Sequence, residues 1–412
     1  MEINYFLKEN RYLTEKDRRN LSIIDIIRKY GPISKPEISE KIGINIVTIS
    51  NYLDEFLKKN FIIETQLDVS EGGRRPLLLD LNPKAVYTIG VGLNLLNVIG
   101  LLVDFKGNII YKVQMDKPRP SAGEITECIL EIIGKILQRS KEYIANIKGI
   151  GVGMAGLINK RDGSIRWPEK IDKHYNYISI DIPLRSLIQK EFGFPAIIDN
   201  DATCACFGEI WREKELEYKN LIYMFSGVGC GLMIEGDIYR GSQGYAGEVA
   251  IHNYREEELF NCEFGNSCFL KPWEYDLGMV EDLKRILSKD KKHTQQIMEL
   301  VDNKIENIDL KTIFTASHMR NPLVEEVLSK AAKRLGIKIA FLVNLLNPDA
   351  VIIGGGLEEA GEFFLKRVIQ TVKDWTFREI NEDLKILYSH LKENASAFGA
   401  ATLVMREVII NL

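Results

Sequence analysis

Three polar residues in a row, Asp199-Asn200-Asp201, follow the apolar run Pro195-Ala-Ile-Ile. Polar side chains at the end of a buried strand of an α/β protein face the crevice in which ligands bind. An aspartate placed there accepts from a hydroxyl group, either as a catalytic base or as the hydrogen-bond acceptor of a sugar hydroxyl. Asp and Asn are also good helix N-caps. This segment alone leaves the binding role and the capping role open.

A second group of candidate residues lies in and after a glycine-rich segment. Glu248 adds a carboxylate, His252 follows it, and Cys262 and Cys268 come within 16 residues of that histidine. Two thiolates and an imidazole are typical zinc ligands. A single histidine is more often structural than a ligand, so these residues predict either a zinc site or a loop without metal.

Glycines end three further apolar runs, at Gly151 to Gly156, Ser226 to Gly231 and Gly354 to Gly356. Backbone N–H groups in glycine-rich strand ends can approach an anion or another ligand closely. A tight turn from strand to loop explains each run equally well when it is taken alone.

Chemistry of a different kind is found near the N-terminus. Arg74 and Arg75 lie side by side in Glu71-Gly-Gly-Arg-Arg-Pro76, between the β-like runs 61–65 and 77–81. This pattern predicts a hairpin whose tip carries two guanidinium groups. Such groups suit DNA phosphates or a narrow minor groove.

Three helices are predicted before that hairpin. Capping boxes at Thr14-Glu-Lys-Asp17 and Ser34-Lys-Pro-Glu37 begin the first two, and the third extends from about Asn45 to Lys59. In the third helix, the core positions are Ile49, Leu53, Phe56 and Leu57, and the candidate DNA-contacting positions are Thr48, Ser50, Asn51 and Lys58. Three helices and a two-stranded wing are the elements of a winged helix-turn-helix, whose third helix enters the major groove. The alternative is a small protein-interaction domain with a solvated arginine pair.

Residues 87–111 and 221–239 resemble each other, because each holds an apolar strand, a second strand, a tight glycine turn and a third strand. This duplication predicts two α/β lobes that face each other across a ligand-binding cleft. We therefore expect a winged helix-turn-helix domain over residues 1–82 and a two-lobed domain over 83–412. Lobe 1 is expected over about 83–203 with a C-terminal helix at 395–412, and lobe 2 over about 204–394. The segment 166–177 is predicted to be a surface loop, and the alternative is that its Trp167 and His174 line the ligand pocket.

The composition is that of a globular protein, with 45% hydrophobic and 27% charged residues in a chain of 412. No stretch approaches the roughly 20 apolar residues of a membrane helix, and residues 1–10 do not resemble a signal peptide, so we expect a cytoplasmic protein. The net charge is −4, and residues 1–80 carry 13 basic and 13 acidic side chains. DNA binding would therefore depend on local contacts. Four cysteines in apolar or scattered positions are predicted to be buried: Cys128, Cys204, Cys206 and Cys230.

Taken in this order and spacing, the motifs resemble those of the ROK family, which comprises repressors and sugar kinases. The matching motifs are Gly72-Gly-Arg-Arg-Pro76, Gly151-Val-Gly-Met-Ala-Gly156, Pro195 to Asp201, Ser226 to Gly231, Ala246-Gly-Glu248 and Asn347 to Leu357. The resemblance covers essentially the whole chain and is greatest to the branch of xylose and N-acetylglucosamine repressors. It implies an α/β fold in which an N-terminal winged helix-turn-helix precedes a two-lobed, actin-like ATPase domain.

The resemblance also implies site residues. Asn200, Asp201, Glu248 and His252 correspond to family residues that bind sugar hydroxyls. The family's kinases carry an Asp-x-Gly-Gly-Thr phosphate-binding loop, whereas this chain has Gly92-Leu-Asn-Leu-Leu96. Phosphoryl transfer depends on positioning and charge stabilisation, so this departure predicts a protein that is not an enzyme.

The family's zinc site also departs from its usual pattern here. The family has a histidine three residues after the glutamate and a CxCGxxGC loop. In this chain Ile251 occupies that position, His252 follows it, and the loop from Cys262 to Cys268 lacks the middle cysteine. A zinc ion would be held by His252, Cys262, Cys268 and a fourth ligand, and a degenerate loop without metal is the alternative.

These inferences predict a homodimeric repressor of carbohydrate-utilisation genes. Its third helix and wing would bind palindromic operator half-sites, and a small sugar in the cleft would modulate operator affinity. Xylose is the effector that the branch resemblance suggests, and no membrane is expected among the partners. One alternative is a ROK-type sugar kinase with an accessory N-terminal domain. The other is a repressor that responds to a protein partner, such as a transporter component.

Overall fold

The computed structural model describes residues 13–65, 77–118, 121–170, 177–213, 218–226, 229–249, 276–288 and 293–412. In these parts of the chain, none of the helices has the length and apolarity that spanning a bilayer requires.

The N-terminal domain consists of three helices and a small antiparallel sheet. Its elements are α1 (Glu15–Tyr30), β1 (Ile33–Ser34), α2 (Lys35–Ile42), α3 (Ile46–Lys58), β2 (Ile62–Thr65) and β3 (Leu78–Leu81). Both predicted capping boxes are present, at Thr14 with Asp17 and at Ser34 with Glu37. The strand β3 lies between β1 and β2 and is antiparallel to both. These elements have the order of a winged helix-turn-helix.

Lobe 1, as we use the term, comprises the elements β4 to β11. They are β4 (Tyr87–Leu93), β5 (Asn97–Asp104), β6 (Ile109–Asp116), α4 (Ala122–Arg139), β7 (Ile147–Met154), β8 (Leu157–Asn159), β9 (Ser164–Lys170), β10 (Tyr177–Ile182), α5 (Leu184–Phe192) and β11 (Ala196–Asn200). The main sheet has the order β11-β7-β4-β5-β6. One prediction is wrong here: the segment expected to be a surface loop contributes to β9 and β10, which pair antiparallel, and Trp167 is buried in the core.

Lobe 2 comprises the elements α6 to β16. They are α6 (Asp201–Arg212), β12 (Leu221–Phe225), β13 (Gly229–Ile234), β14 (Asp237–Tyr239), α7 (Met279–Leu287), α8 (Gln295–Glu299), α9 (Leu310–His318), α10 (Pro322–Leu346), β15 (Ala350–Gly354), α11 (Gly361–Trp375), α12 (Arg378–Asn381) and β16 (Lys385–Tyr388). The sheet order is β14-β13-β12-β15-β16. In each lobe a three-stranded antiparallel meander is extended by two parallel strands. The two sheets share one topology, as the internal duplication predicts.

The last helix, α13 (Ala395–Ile410), is the centre of the molecule, and nearly all of its residues are buried. It packs on β4, β7 and α6, where its small residues meet glycines of the strands. A Cβ atom at Gly90 would overlap the carbonyl oxygen of Ala397, and one at Gly151 would overlap that of Ala400. Gly151 therefore permits close packing of a helix on the sheet, rather than the ligand approach or turn considered from the sequence.

The N-terminal domain packs directly on α13 and α6. Its core is continuous with theirs, because Ile23, Leu81 and Val408 belong to one hydrophobic cluster. The buried guanidinium of Arg28 donates to the backbone carbonyl of Trp211 and lies 5.0 Å from the centre of its ring. A motion of the lobes that displaces α13 or α6 would thus reach the N-terminal domain.

We predict that Arg28→Met destabilises the protein by about 1–3 kcal/mol, because it removes the hydrogen bond and the ring contact and leaves the Trp211 carbonyl without its donor. The free energy of unfolding, measured by denaturant titration of the full chain, checks this. The control is Arg18→Met on the exposed face of the same helix. Equal losses in both variants would contradict the assignment of Arg28 to the junction.

Candidate functional site

The first candidate site is the N-terminal half of α3. Asn45 begins the helix, with its side-chain oxygen accepting from the N–H of Val47. Of the predicted core positions, Ile49, Leu53 and Phe56 are fully buried, and Leu57 is half-buried against the same core. On the other faces, Thr48 and Ser50 are half-buried, whereas Asn51 and Lys58 are exposed. The polar residues predicted to contact DNA therefore lie on faces of α3 away from the core. Their role in DNA binding stays a prediction.

Two apolar residues on the same face were missed by the sequence reasoning. Val47 is 67% exposed and Ile46 is 43% exposed. Apolar side chains at the start of a recognition helix can contact the methyl group of thymine. The signal was available in the sequence, because both residues follow the N-cap and lie off the apolar stripe.

Charges around α3 are largely paired within the protein. Lys35 pairs with Asp54 at 3.1 Å. Lys59 donates to Glu55 and to the backbone carbonyl of Leu412. Lys58 is also exposed at this helix end, while Arg74 and Arg75 lie outside the described residues.

The second candidate site is the cleft at the junction of β11 and α6. Asn200 is the N-cap of α6, and its Oδ1 accepts from the N–H groups of Ala202 at 3.0 Å and Thr203 at 3.1 Å. Its Nδ2 group has no hydrogen bond to a described residue. The capping role therefore uses the amide oxygen alone, and the amide nitrogen remains a donor for a ligand.

Asp201 and Glu248 form an interacting pair of carboxyl groups at this cleft. Burial raises the pKa of Asp201 to about 6, although the backbone N–H of Ala202 and the charge of Lys117 oppose the shift. Desolvation raises the pKa of Glu248 to about 7, and the charge of Asp201 adds to this effect. Two carboxyl groups with such pKa values present both donors and acceptors near neutral pH, as recognition of sugar hydroxyls requires.

Asp199 lies apart from this pair, because successive side chains of a strand face opposite sides of the sheet. Its carboxylate binds Lys160 and, at 2.8 Å, Arg240, and these two cations hold its pKa below the usual range. The sequence grouped Asp199 with Asn200 and Asp201. The structure places Asp199 in an ion-pair cluster between Lys160 of lobe 1 and Arg240, which follows β14 of lobe 2.

Lys117 is a further residue that the sequence reasoning missed. It follows β6, and its ammonium group acts electrostatically on Asp201, 84 positions later in the chain. Burial lowers the pKa of Lys117. A lysine after an edge strand carries no signal of such a role, because only the fold brings it to the cleft.

The turn Gly92-Leu-Asn-Leu-Leu96 lies between β4 and β5 of lobe 1 and contacts lobe 2. Asn94 closes the turn, with its side-chain oxygen accepting from the N–H groups of Leu96 and Asn97 at 2.8 Å. The N–H of Leu95 donates to the carbonyl of Gly355 at 3.0 Å, and the Leu95 side chain packs into the hydrophobic core of lobe 2. This turn thus contacts the glycine-rich segment that follows β15.

The predicted zinc ligands His252, Cys262 and Cys268 lie outside the described residues. The sugar-binding role predicted for His252 therefore stays a prediction. Within the parts of the chain that the structure describes, no group of three or more His, Cys, Asp or Glu side chains is arranged to hold a metal ion. Cys128, Cys204, Cys206 and Cys230 are buried free thiols, as predicted.

Comparison with known proteins agrees with this architecture. Residues 87–407 match the ROK family, and residues 16–63 match the winged helix-turn-helix DNA-binding family. A xylose repressor from Caldicellulosiruptor bescii is 28% identical over 404 residues, which cover 96% of this chain and 97% of that protein.

Two solved structures share the fold. A ROK family transcriptional regulator, a homologue of the E. coli MLC protein, has a TM-score of 0.72 and 20% identity, covering 96% of this chain and 97% of its own. A ROK family glucokinase from Streptomyces griseus, in complex with glucose and AMPPNP, has a TM-score of 0.64 and 24% identity. That match covers 98% of the glucokinase but 77% of this chain.

The fold and the comparisons define a protein whose two-lobed, sugar-kinase-like domain follows a winged helix-turn-helix. The chain belongs to the ROK family. The predicted family and fold class are confirmed.

The raised pKa of Asp201 predicts a dependence of stability on pH. A carboxyl group whose pKa is higher in the folded state than in the unfolded chain stabilises the fold below the unfolded value, near 3.8. This contribution is lost as the pH rises through about 6. Between pH 4 and pH 8, the free energy of unfolding should fall by ~1–3 kcal/mol less in the Asp201→Asn variant than in the unsubstituted protein.

Denaturant titrations of both proteins across this pH range measure the effect. Asn keeps an oxygen that can accept from the N–H of Ala202, as Asp201 does at 2.8 Å. Parallel pH profiles for the two proteins would show that Asp201 is ionised normally in the fold.

Proposed function

We propose that this ROK family protein is a sugar-responsive, DNA-binding transcriptional repressor of carbohydrate-utilisation genes. The observation that carries the proposal is the shared core that joins the winged helix-turn-helix to a two-lobed domain with a carboxyl-lined cleft. The similarity to a xylose repressor over nearly the whole chain supports it. The proposal places the protein in the cytoplasm, where operator DNA is found.

In the proposed DNA complex, α3 lies in the major groove. Asn51 and Val47 contact base edges, and Lys58 contacts a phosphate, with Arg74 and Arg75 of the wing adding contacts to the backbone or minor groove. One winged helix covers one half-site, so two copies of the chain bind a palindromic operator as a homodimer.

In the proposed sugar complex, Asn200 donates through Nδ2 while Asp201 and Glu248 exchange hydrogen bonds with sugar hydroxyls. Asn200 and Asp201 lie at the start of α6, and Glu248 follows β14 on the loop that pairs with β13. A sugar held by these groups favours one arrangement of the lobes over another. Because α1 packs on α13, the favoured arrangement changes the position of the DNA-reading helices, and operator affinity falls.

The contacts of the Leu95 turn support a protein without kinase activity. Catalysis of phosphoryl transfer needs groups that hold Mg²⁺ and backbone N–H groups that approach the phosphates. In the corresponding turn, Gly92 replaces the aspartate and Asn94 and Leu95 replace the two glycines. The Leu95 N–H donates to the Gly355 carbonyl. The glucokinase resemblance concerns the two-lobed domain alone, since it covers 77% of this chain.

We predict that Asn51→Ala weakens operator binding by about 1–3 kcal/mol, which is roughly 5- to 150-fold, because a side chain that reads a base is removed. Electrophoretic mobility-shift titration at fixed salt, with the native operator and a scrambled duplex, measures it. Glu40→Gln, on the exposed surface of α2, is the control. An Asn51→Ala protein that binds the operator like the control would remove α3 from the reading role.

We further predict that xylose or a related sugar raises the midpoint of thermal unfolding by about 4 °C at saturation, because it binds only the folded state. Glu248→Gln should reduce the shift at the same sugar concentration. The same sugar should release the operator, and no ADP should form when ATP and Mg²⁺ are present.

A sugar that stabilises the protein without changing operator affinity would contradict the switch. Sugar-dependent ADP formation would instead support the kinase alternative.

A further inference from the structure

A cavity of about 570 Å³ lies on the side of β11 opposite the sugar cleft. It is bordered by the turn after β8, the loop after β14, the C-terminal end of α13, and Leu13 at the start of the N-terminal domain. Its size falls within the range of sites that bind small metabolites. Neither the proposed sugar contacts nor the proposed DNA contacts use it.

Positive charge predominates among the residues that line this cavity. Among the described residues of the lining, four cations, Lys160, Arg161, Arg240 and Arg406, face two carboxylates, those of Asp199 and Glu407. Asp199 is shared between Lys160 and Arg240, and Glu407 lies 3.4 Å from Arg406. The described part of the lining therefore has two more positive than negative charges.

The arginines also act on one another across the cavity. Burial lowers the pKa of Arg406, and the charge of Arg240 lowers it further, whereas the carboxylates of Glu407 and Asp237 oppose the shift. Two guanidinium groups held near each other in a partly desolvated site are stabilised by an anion between them. Guanidinium groups bind phosphate and carboxylate oxygens in a bidentate manner, which favours these anions over chloride.

We propose that this cavity binds a small organic dianion, a phosphate monoester or a dicarboxylate, through Arg161, Arg240 and Arg406. The ligand joins three parts of the fold, since Arg161 belongs to lobe 1, Arg240 follows β14 of lobe 2, and Arg406 is on α13. The inference does not depend on the proposed repressor function, because binding can be measured without DNA or sugar.

Isothermal titration calorimetry of the full chain tests the proposal, with glycerol 3-phosphate, ribose 5-phosphate, malonate and inorganic phosphate as probes. We expect saturable binding of at least one organic dianion. Arg161→Gln and Arg406→Gln should each weaken it about tenfold or more, as loss of a charge-assisted hydrogen bond does. Arg139→Gln, on the exposed end of α4, should change the affinity less than about twofold.

Arg161 is exposed, so its substitution should leave the fold intact and keep the test decisive if Arg406→Gln is unstable. Binding of phosphate esters without malonate assigns the phosphate class, and the reverse assigns the dicarboxylate class. No saturable heat with any organic probe overturns the proposal. So does binding that Arg161→Gln leaves unchanged, or that Arg139→Gln weakens to the same extent.

Discussion

The close packing of α13 against the sheet of lobe 1 constrains the rest of the structure. Glycines at positions 90 and 151 leave no space between the strands and the helix, and the helix is buried along almost its whole length. Interiors packed at this density respond to displacement by moving as rigid bodies rather than by deforming. The helix α1 packs on α13, so the DNA-reading domain moves together with this central helix.

Because side chains alternate in direction along β11, the end of this strand carries two separate groups of polar residues. Asn200 and Asp201 face the cleft and begin α6, whereas Asp199 faces the opposite side and pairs with Lys160 and Arg240. Both groups lie where the lobes meet. A change in the relative position of the lobes would therefore alter the surroundings of the cleft carboxyls and the ion pairs together.

Local patterns predicted the elements of the fold well, because they report interactions between residues near in sequence. The capping boxes at Thr14 and Ser34 begin helices as expected, and the apolar spacing of α3 identified its buried face. The glycine turns of the two meanders predicted the duplicated sheet. The hairpin β9–β10 was missed, because its loop-like composition outweighed the single apolar signal of Trp167.

Parts of the candidate site that depend on distant residues could not be predicted. Lys117 reaches Asp201, and Arg240 reaches Asp199, only because the fold brings separate strands together. The cluster of Arg161, Arg240 and Arg406 draws on three elements spread over more than half of the chain. Family resemblance supplied Asn200, Asp201 and Glu248, but it did not supply the direction in which Asp199 faces.

The proposed switch requires free energies that the cleft is able to provide. A hundredfold change in operator affinity corresponds to a coupling of about 2.7 kcal/mol between the two sites. One or two hydrogen bonds from sugar hydroxyls to ionised groups supply about that amount when they form in only one arrangement of the lobes. Asn200 and Glu248 suit this role because they lie on different lobes, Asn200 at the end of β11 of lobe 1 and Glu248 on the loop that pairs with β13 of lobe 2. A ligand that contacts both residues at once discriminates between arrangements of the lobes, whereas a ligand that binds either one alone does not.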